Sequence, residues 1–351
     1  MATVNVGGSL AHNKTGRRFC GKGRGPKMNK SAWNDSILSS GPNKEKPWLV
    51  RAKVWQNFDL LLFCLPGIVI TFIYHYIPIY GVQIVFRKYR PNRGITGSDW
   101  VGWANFERFF RSPDAARIIL NTCILSLYSL AASFPVAILL ALMLNSFRHR
   151  RYRRIIQAVS YAPYFISVVV MCGMIIMFLS PRVGVINELI RRLGGEAVNF
   201  MGKSSYWRHI YAWSGVWQNM GWNSVIYFAA LSNVSPEYHE AAIVDGATKF
   251  QRMLRIDLPF LKPVVTMLLI LNLGSFLNIG VEKVLALQND LNIGVSQIIP
   301  TYVYRMGLSN PNGSTDPSFS AAVGLFNSAI NAVFLLASNW IVSKTSENSL
   351  W

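Results

Sequence analysis

The chain has 351 residues, of which 51% are hydrophobic and only 15% charged, and its formal net charge is +19 at pH 7. That is more apolar sequence than one soluble core needs, which excludes an ordinary soluble domain and makes the bilayer the expected solvent. The excess of cations would suit a nucleic-acid surface, but the basic residues cluster beside apolar runs instead of lining one polar face, so no nucleic-acid partner is expected.

Residues 1–56 read as a basic, disordered cytoplasmic tail, carrying Lys14, Arg17, Arg18, Lys22, Arg24, Lys27, Lys30, Lys44, Lys46, Arg51 and Lys53 against Asp35 and Glu45. The first apolar run begins near Phe58, too late for a cleaved leader, so the first span is expected to stay as an anchor. Runs long enough to cross a bilayer, about 20 residues each, lie at Phe58 to Phe86, Ala115 to Asn145, Ile156 to Ser180, Ile210 to Asn233, Val264 to Leu287 and Phe319 to Val342. The expectation is an all-α integral membrane protein of six transmembrane helices, with kinks at Pro66, Pro135 and Pro163. Segment 57–114 would hold the first helix and an external amphipathic stretch, 115–343 a core of five helices, and 344–351 a cytoplasmic tail. The loop after the second span, RHRRYRR, together with the basic tail places the N- and C-termini in the cytoplasm, although Arg87, Lys88, Arg90, Arg93, Arg191 and Arg192 fall on the opposite side.

No catalytic or metal-binding pattern emerges. Ala197 to Ser204 and Gly16 to Lys22 imitate phosphate loops but follow no predicted strand, and His239-Glu240 lacks the second histidine of a zinc helix. Cys20, Cys64, Cys123 and Cys172 form no CxxC pair, so free thiols are expected. Residues 235–263 stand out as a polar island between two apolar runs. Ser235 precedes Pro236 as an N-cap, Gly246 suits a left-handed helix end, and Thr248 with Gln251 has the capping-box spacing that opens a second helix bearing Phe250, Met253, Leu254 and Leu258.

Glu240, Ala241, Ala242, Asp245, Gly246, Ala247, Ile256, Leu258 and Pro259 reproduce the spacing of the EAA loop, and on these residues the chain resembles the permease subunits of ATP-binding-cassette (ABC) importers. Met253 stands where many members carry Phe. The segment Trp100 to Phe110, WVGWANFERFF, and the Tyr161-Ala162-Pro163 start of the third span are similar to carbohydrate-type permeases, with polysaccharide-type importers such as those for alginate the nearest likeness. The resemblance implies a MetI-like permease fold in the bacterial cytoplasmic (inner) membrane, and makes residues 240–259 the loop that docks on an ATPase subunit. It further implies a homologous second permease, two ABC ATPase subunits that bind the ATP and Mg absent from this chain, and an external, periplasmic or lipid-anchored, solute-binding protein.

Polar side chains inside spans cost free energy unless they line a cavity or pair together. Trp217, Asn219, Trp222 and Asn223, with Gln218, enrich the fourth span, while Asn272, Ser275 and Asn278 are spaced to share one helical face in the fifth. Aromatic faces stack on pyranose rings and amides bind hydroxyls, so these residues form a candidate sugar path; the resemblance to maltose-type permeases points to the same region. The alternative for each is an ordinary interhelical hydrogen bond. Arg182, Arg191, Arg192, Lys203 and Arg208 would steer an anionic sugar, or simply be solvated. A secondary transporter would need inverted repeats and intramembrane charges, where this chain offers Glu282 and Lys283 near a span end. A membrane-embedded enzyme would need a convergent acid, base or metal set, which the sequence does not supply.

Overall fold

The computed structural model describes residues 58–147, 149–309 and 315–345; the basic N-terminal segment and Cys20 lie outside them. The chain divides into two compact units at Ile73. In the described part of the first, helix α1 (Phe58–Thr71) is apolar in sequence from Leu60 to Ile70 and contains Pro66. Leu62, Phe63 and Leu65 are exposed, a placement that a lipid solvent favours and water does not.

From Tyr74 the second unit begins with a 3₁₀ segment, Ile77–Phe86, which completes the 25-residue apolar stretch Leu62–Phe86. The all-α expectation holds, with one small addition: Arg87–Arg90 (β1) and Gly94–Trp100 (β2) pair as an antiparallel ribbon, Arg87 opposite Trp100. The turn between them is Pro91–Arg93 followed by Gly94 at φ 67°, and the Arg87 guanidinium donates to the carbonyls of Thr96 and Ser98. Helix α2 (Ala104–Phe110) follows, with Phe109 buried against Tyr302 and Phe326.

Helix α3 (Ala115–Ser146) runs 32 residues and is not interrupted at Pro135. The third expected span is not one rod: α4 (Arg150–Tyr161) with its 3₁₀ extension Ala162–Phe165, and α5 (Val168–Phe178), bend by 96° at the break Ile166–Ser167. Pro163 and the extended Ile166 and Ser167 explain the bend, and the backbone they free is repaired locally: Gln218 donates to the Ile166 carbonyl, and Ser167 caps α5 by accepting from Val170 N–H. After α6 (Val185–Arg192), helix α7 (Ser204–Leu231) spans 28 residues, about 42 Å by its rise. Its polar centre keeps it out of the set of helices apolar enough to cross a membrane. That set is Leu62–Phe86, Ala115–Ser146, Lys249–Gly274 and Pro317–Lys344, and the bent pair would be a fifth.

Helices α8 (Pro236–Val244) and α9 (Lys249–Arg252) lead through a π turn, Met253–Asp257, into α10 (Leu258–Gly274). The fifth span is therefore displaced from its expected limits: it starts at Lys249 and stops at Gly274. A Cβ at Gly274 would come within 2.7 Å of Leu335 Cδ1 on α14 (Pro317–Thr345), so glycine lets two helices close where one of them ends. The freed Leu277 N–H donates to Asn331 Oδ1 at 2.8 Å, as irregular backbone at membrane depth requires. Short helices α11 (Val281–Leu287), α12 (Ile293–Ser296) and α13 (Ile299–Gly307) fill the space before α14.

Helices α3 and α7 pack against each other along their length. One apolar core joins Leu125 of α3 and Trp207 of α7 to Met171, Val284 and Ile298. A second joins Ala137 and Ala141 to Tyr227, Leu231 and Leu261. Between these two cores both helices turn polar.

Candidate functional site

Two places in the second unit gather the candidate residues. In the loop 235–263, α8 ends at Gly246, whose φ of +79° is a left-handed position that L side chains adopt at a cost. Thr248 then forms the capping box: its Oγ1 accepts from Gln251 N–H at 3.3 Å, and its own N–H donates to Gln251 Oε1 at 2.8 Å. Ser235 occupies the N-cap of α8 without a side-chain hydrogen bond. The π turn sits one residue ahead of Pro259, which lacks an N–H, so the ladder widens where a donor is missing.

The residues of the motif divide between the two faces of this loop. Ile256 packs inward on the Ala137 core, whereas Glu240, Ala241, Asp245, Gly246, Leu258 and Pro259 are exposed and Ala242 and Ala247 half-buried. In the same loop Tyr238, Ile243, Val244 and Phe250 are large apolar or aromatic side chains left exposed, Val244 at 87%. The loop is latched to the bundle by a group that sequence reading missed. Asp257, buried, accepts from Asn145 at the end of α3 and lies 3.3 Å from His239 Nε2 of α8.

The second place is a cavity of about 980 Å³ between the two apolar cores. Asn219, Asn223, Asn272, Ser275 and Asn278 all line it. The reason differs from the expected one. Ser275 is the C-cap of α10 and Asn278 lies beyond it, so the three fifth-span residues share no helical face; the break at Gly274 turns them toward one space. Asn219 and Asn272 each donate to a carbonyl one turn back, at Gly215 and Leu268, which leaves their amide oxygens to accept. Asn278 Oδ1 already accepts from Asn327 and Asn331 of α14.

The two tryptophans correct the expectation. Neither lines the cavity: Trp217 is 44% exposed, and Trp222 stacks on the lining residue Tyr164, their rings 4.6 Å apart at 7°. Tyr164, Phe165 and Tyr211 supply the aromatic wall instead. Gln218 also lines the cavity, but its amide is committed to the Ile166 carbonyl.

Ser126, Ser129 and Ser133 of α3 also line the cavity and were missed, and Lys283 of α11, noted in the sequence only as a charge near a span end, lines it as well. The serines had a signal, an i, i+3, i+7 stripe inside an otherwise apolar run. Lys283 carried only the signal of a charge near a span end, and its place on the cavity wall depends on the break at Gly274. The basic cluster between α5 and α7 is largely spent on the protein itself. Arg191 and Arg192 pair with Glu188 and hold its carboxyl below the usual range, and Arg208 donates to Asn121.

Apolar helices long enough to cross a membrane, interrupted around a polar cavity and joined by an exposed helical loop, define a membrane transport component. The chain belongs to the family of binding-protein-dependent transport system inner membrane components, whose pattern matches residues 133–347. Protein LplB of Bacillus subtilis (strain 168) is 39% identical over 315 residues, 90% of this chain and 96% of that protein. The polygalacturonan/rhamnogalacturonan transport system permease protein YteP of the same organism is 37% identical over 308 residues, 88% of this chain and 95% of that protein. Among solved structures, a chain of a bacterial alginate ABC transporter in complex with an alginate pentasaccharide-bound periplasmic protein superposes with a TM-score of 0.77 at 33% identity, covering 85% of this chain and 99% of that chain.

Proposed function

We propose that this chain is a permease subunit of an ABC importer that carries an oligosaccharide inward through the cavity between α3 and α7. The observation that carries this reading is the cavity itself: amide oxygens of Asn219 and Asn272, serine hydroxyls and the rings of Tyr164 and Tyr211 face one space of about 980 Å³. That combination matches the hydroxyl edges and apolar faces of a pyranose. The exposed loop around Gly246 serves as the docking lever for an ATPase subunit, its small residues Ala241, Ala242 and Ala247 permitting close approach, and Glu240 and Asp245 offering charge-assisted bonds. ATP and Mg bind to two partner ATPase subunits, a homologous permease completes the path, and an external binding protein delivers the sugar. Both termini and the Gly246 loop face the cytoplasm.

Reconstitution tests this directly. Proteoliposomes holding this chain with its partner permease, ATPases and binding protein should take up pectin- or alginate-derived oligosaccharides in proportion to ATP hydrolysis and without an ion gradient. Uptake that follows an ion gradient and ignores ATP would overturn the reading, as would hydrolysis that moves no oligosaccharide.

A further inference from the structure

The cavity contains one pair of opposite charges that do not answer one another. Among the described residues lining it, Lys283 is the single cation and Glu282 the single carboxylate. Glu282 is exposed, whereas Lys283 is 8% exposed, with its Nζ donating to the Tyr211 carbonyl at 2.8 Å and standing 4.5 Å from the centre of the Tyr211 ring. No carboxylate among the described residues comes within ion-pair distance of it. A buried ammonium is costly without a counter-charge; a carbonyl and a ring face offset part of that cost and leave two N–H donors unused. Gly215 makes the placement possible, since a Cβ there would stand 3.0 Å from Nζ.

A second observation points the same way. The hydroxyls of Ser126 and Ser129, on α3, line the same cavity, are buried, and have no hydrogen-bond partner among the described residues; Ser126 is 5% exposed. Buried polar groups in native proteins are nearly always partnered, so unpartnered ones on a cavity wall call for a ligand that completes them. An ammonium and two hydroxyls all donate well to carboxylate oxygens.

We propose that Lys283 is a specificity-determining residue that holds a sugar carboxylate in the cavity, with Ser126 and Ser129 donating to substrate oxygens, and that the transported class is an acidic, uronate-containing oligosaccharide. This inference rests on the cavity being the carbohydrate path and narrows it to one charge class. It is independent of the surface arginines, most of which are paired elsewhere.

The test uses the complete transporter with its binding protein in proteoliposomes. The probes are galacturonate and mannuronate trisaccharides and their carboxyl-reduced, neutral counterparts. Lys283→Met should lower uptake of at least one uronate about tenfold or more, as expected for loss of a hydrogen bond to a charged group. The loss should appear mainly in KM, with basal ATPase and uptake of neutral sugar within about twofold of the unaltered complex, and Lys283→Arg should restore most of it. Equal loss on both sugar classes, equal loss in the Met and Arg variants, or loss of basal ATPase would overturn the proposal and make Lys283 a fastener between α11 and α7. Where the unaltered complex carries no neutral form, the KM, basal ATPase and Lys283→Arg comparisons decide. Uptake of neutral sugars alone would overturn this inference and leave the carbohydrate reading standing, whereas uptake of neither class would remove both.

Discussion

The Gly246 loop and the polar cavity are built on opposite principles. The loop is assembled from neighbours in sequence: a proline start, a left-handed glycine, and a capping box within four residues, Thr248 to Gln251, with one buried latch at Asp257. The cavity is assembled from strangers, since its walls come from α3, the broken α4–α5 connection, α7, the end of α10 and the segment after it. A region of the first kind tolerates changes elsewhere and fails at its own turns. A region of the second kind fails wherever two backbones must touch.

Gly221 should show the largest effect of this contrast. It lies in α7 against the break near Pro163, and a Cβ there would overlap the Ser160 carbonyl. Because the neighbour is backbone, Gly221→Ala must separate α7 from α4, at a cost of about 1–3 kcal/mol or more. A lower unfolding temperature and loss of uptake together are expected; unchanged melting with normal uptake would show that the close approach is not needed.

Gly246→Val should come next. The strain of about 1–3 kcal/mol falls on an exposed turn, so the complex should assemble and hydrolyse ATP while uptake collapses. Uptake at the unaltered rate would remove the loop from the coupling role.

Asn278→Ala should be the mildest and the most selective. It leaves the Asn327 and Asn331 donors without their shared acceptor, worth about 0.6 kcal/mol per bond within a membrane. Uptake should fall severalfold with basal ATPase intact, because the Gly246 turn is untouched. Kinetics unchanged for every oligosaccharide would reassign the cavity asparagines to packing.

The same contrast explains what was legible. Spans at Ala115 and Phe319 match helices α3 and α14 within a few residues, since a long apolar run in lipid has no alternative to a helix. The Thr248 box and the Gly246 turn were legible because capping and left-handed backbone are local chemistry. The fifth span was misplaced because hydropathy continues past Gly274 while the helix ends there, at the point where it closes on Leu335 of another helix. Trp222 was expected on the cavity wall because its residue type suits stacking, and Tyr164 covers it only once α4 and α5 have bent.

Sequence by itself determined that the chain is a helical membrane protein with one exposed helix-turn-helix loop, because hydropathy and capping act within a few residues. Tertiary structure alone decided which polar groups share a cavity. The break at Gly274 lets Asn278 and Lys283 line a cavity with α3 and α7, and the side chains that satisfy the backbone freed there and at Ile166–Ser167, Asn331 and Gln218, come from helices 54 and 52 residues away. Such pairings arise because unsatisfied backbone is so costly in lipid that any break must find its partner wherever the fold brings one.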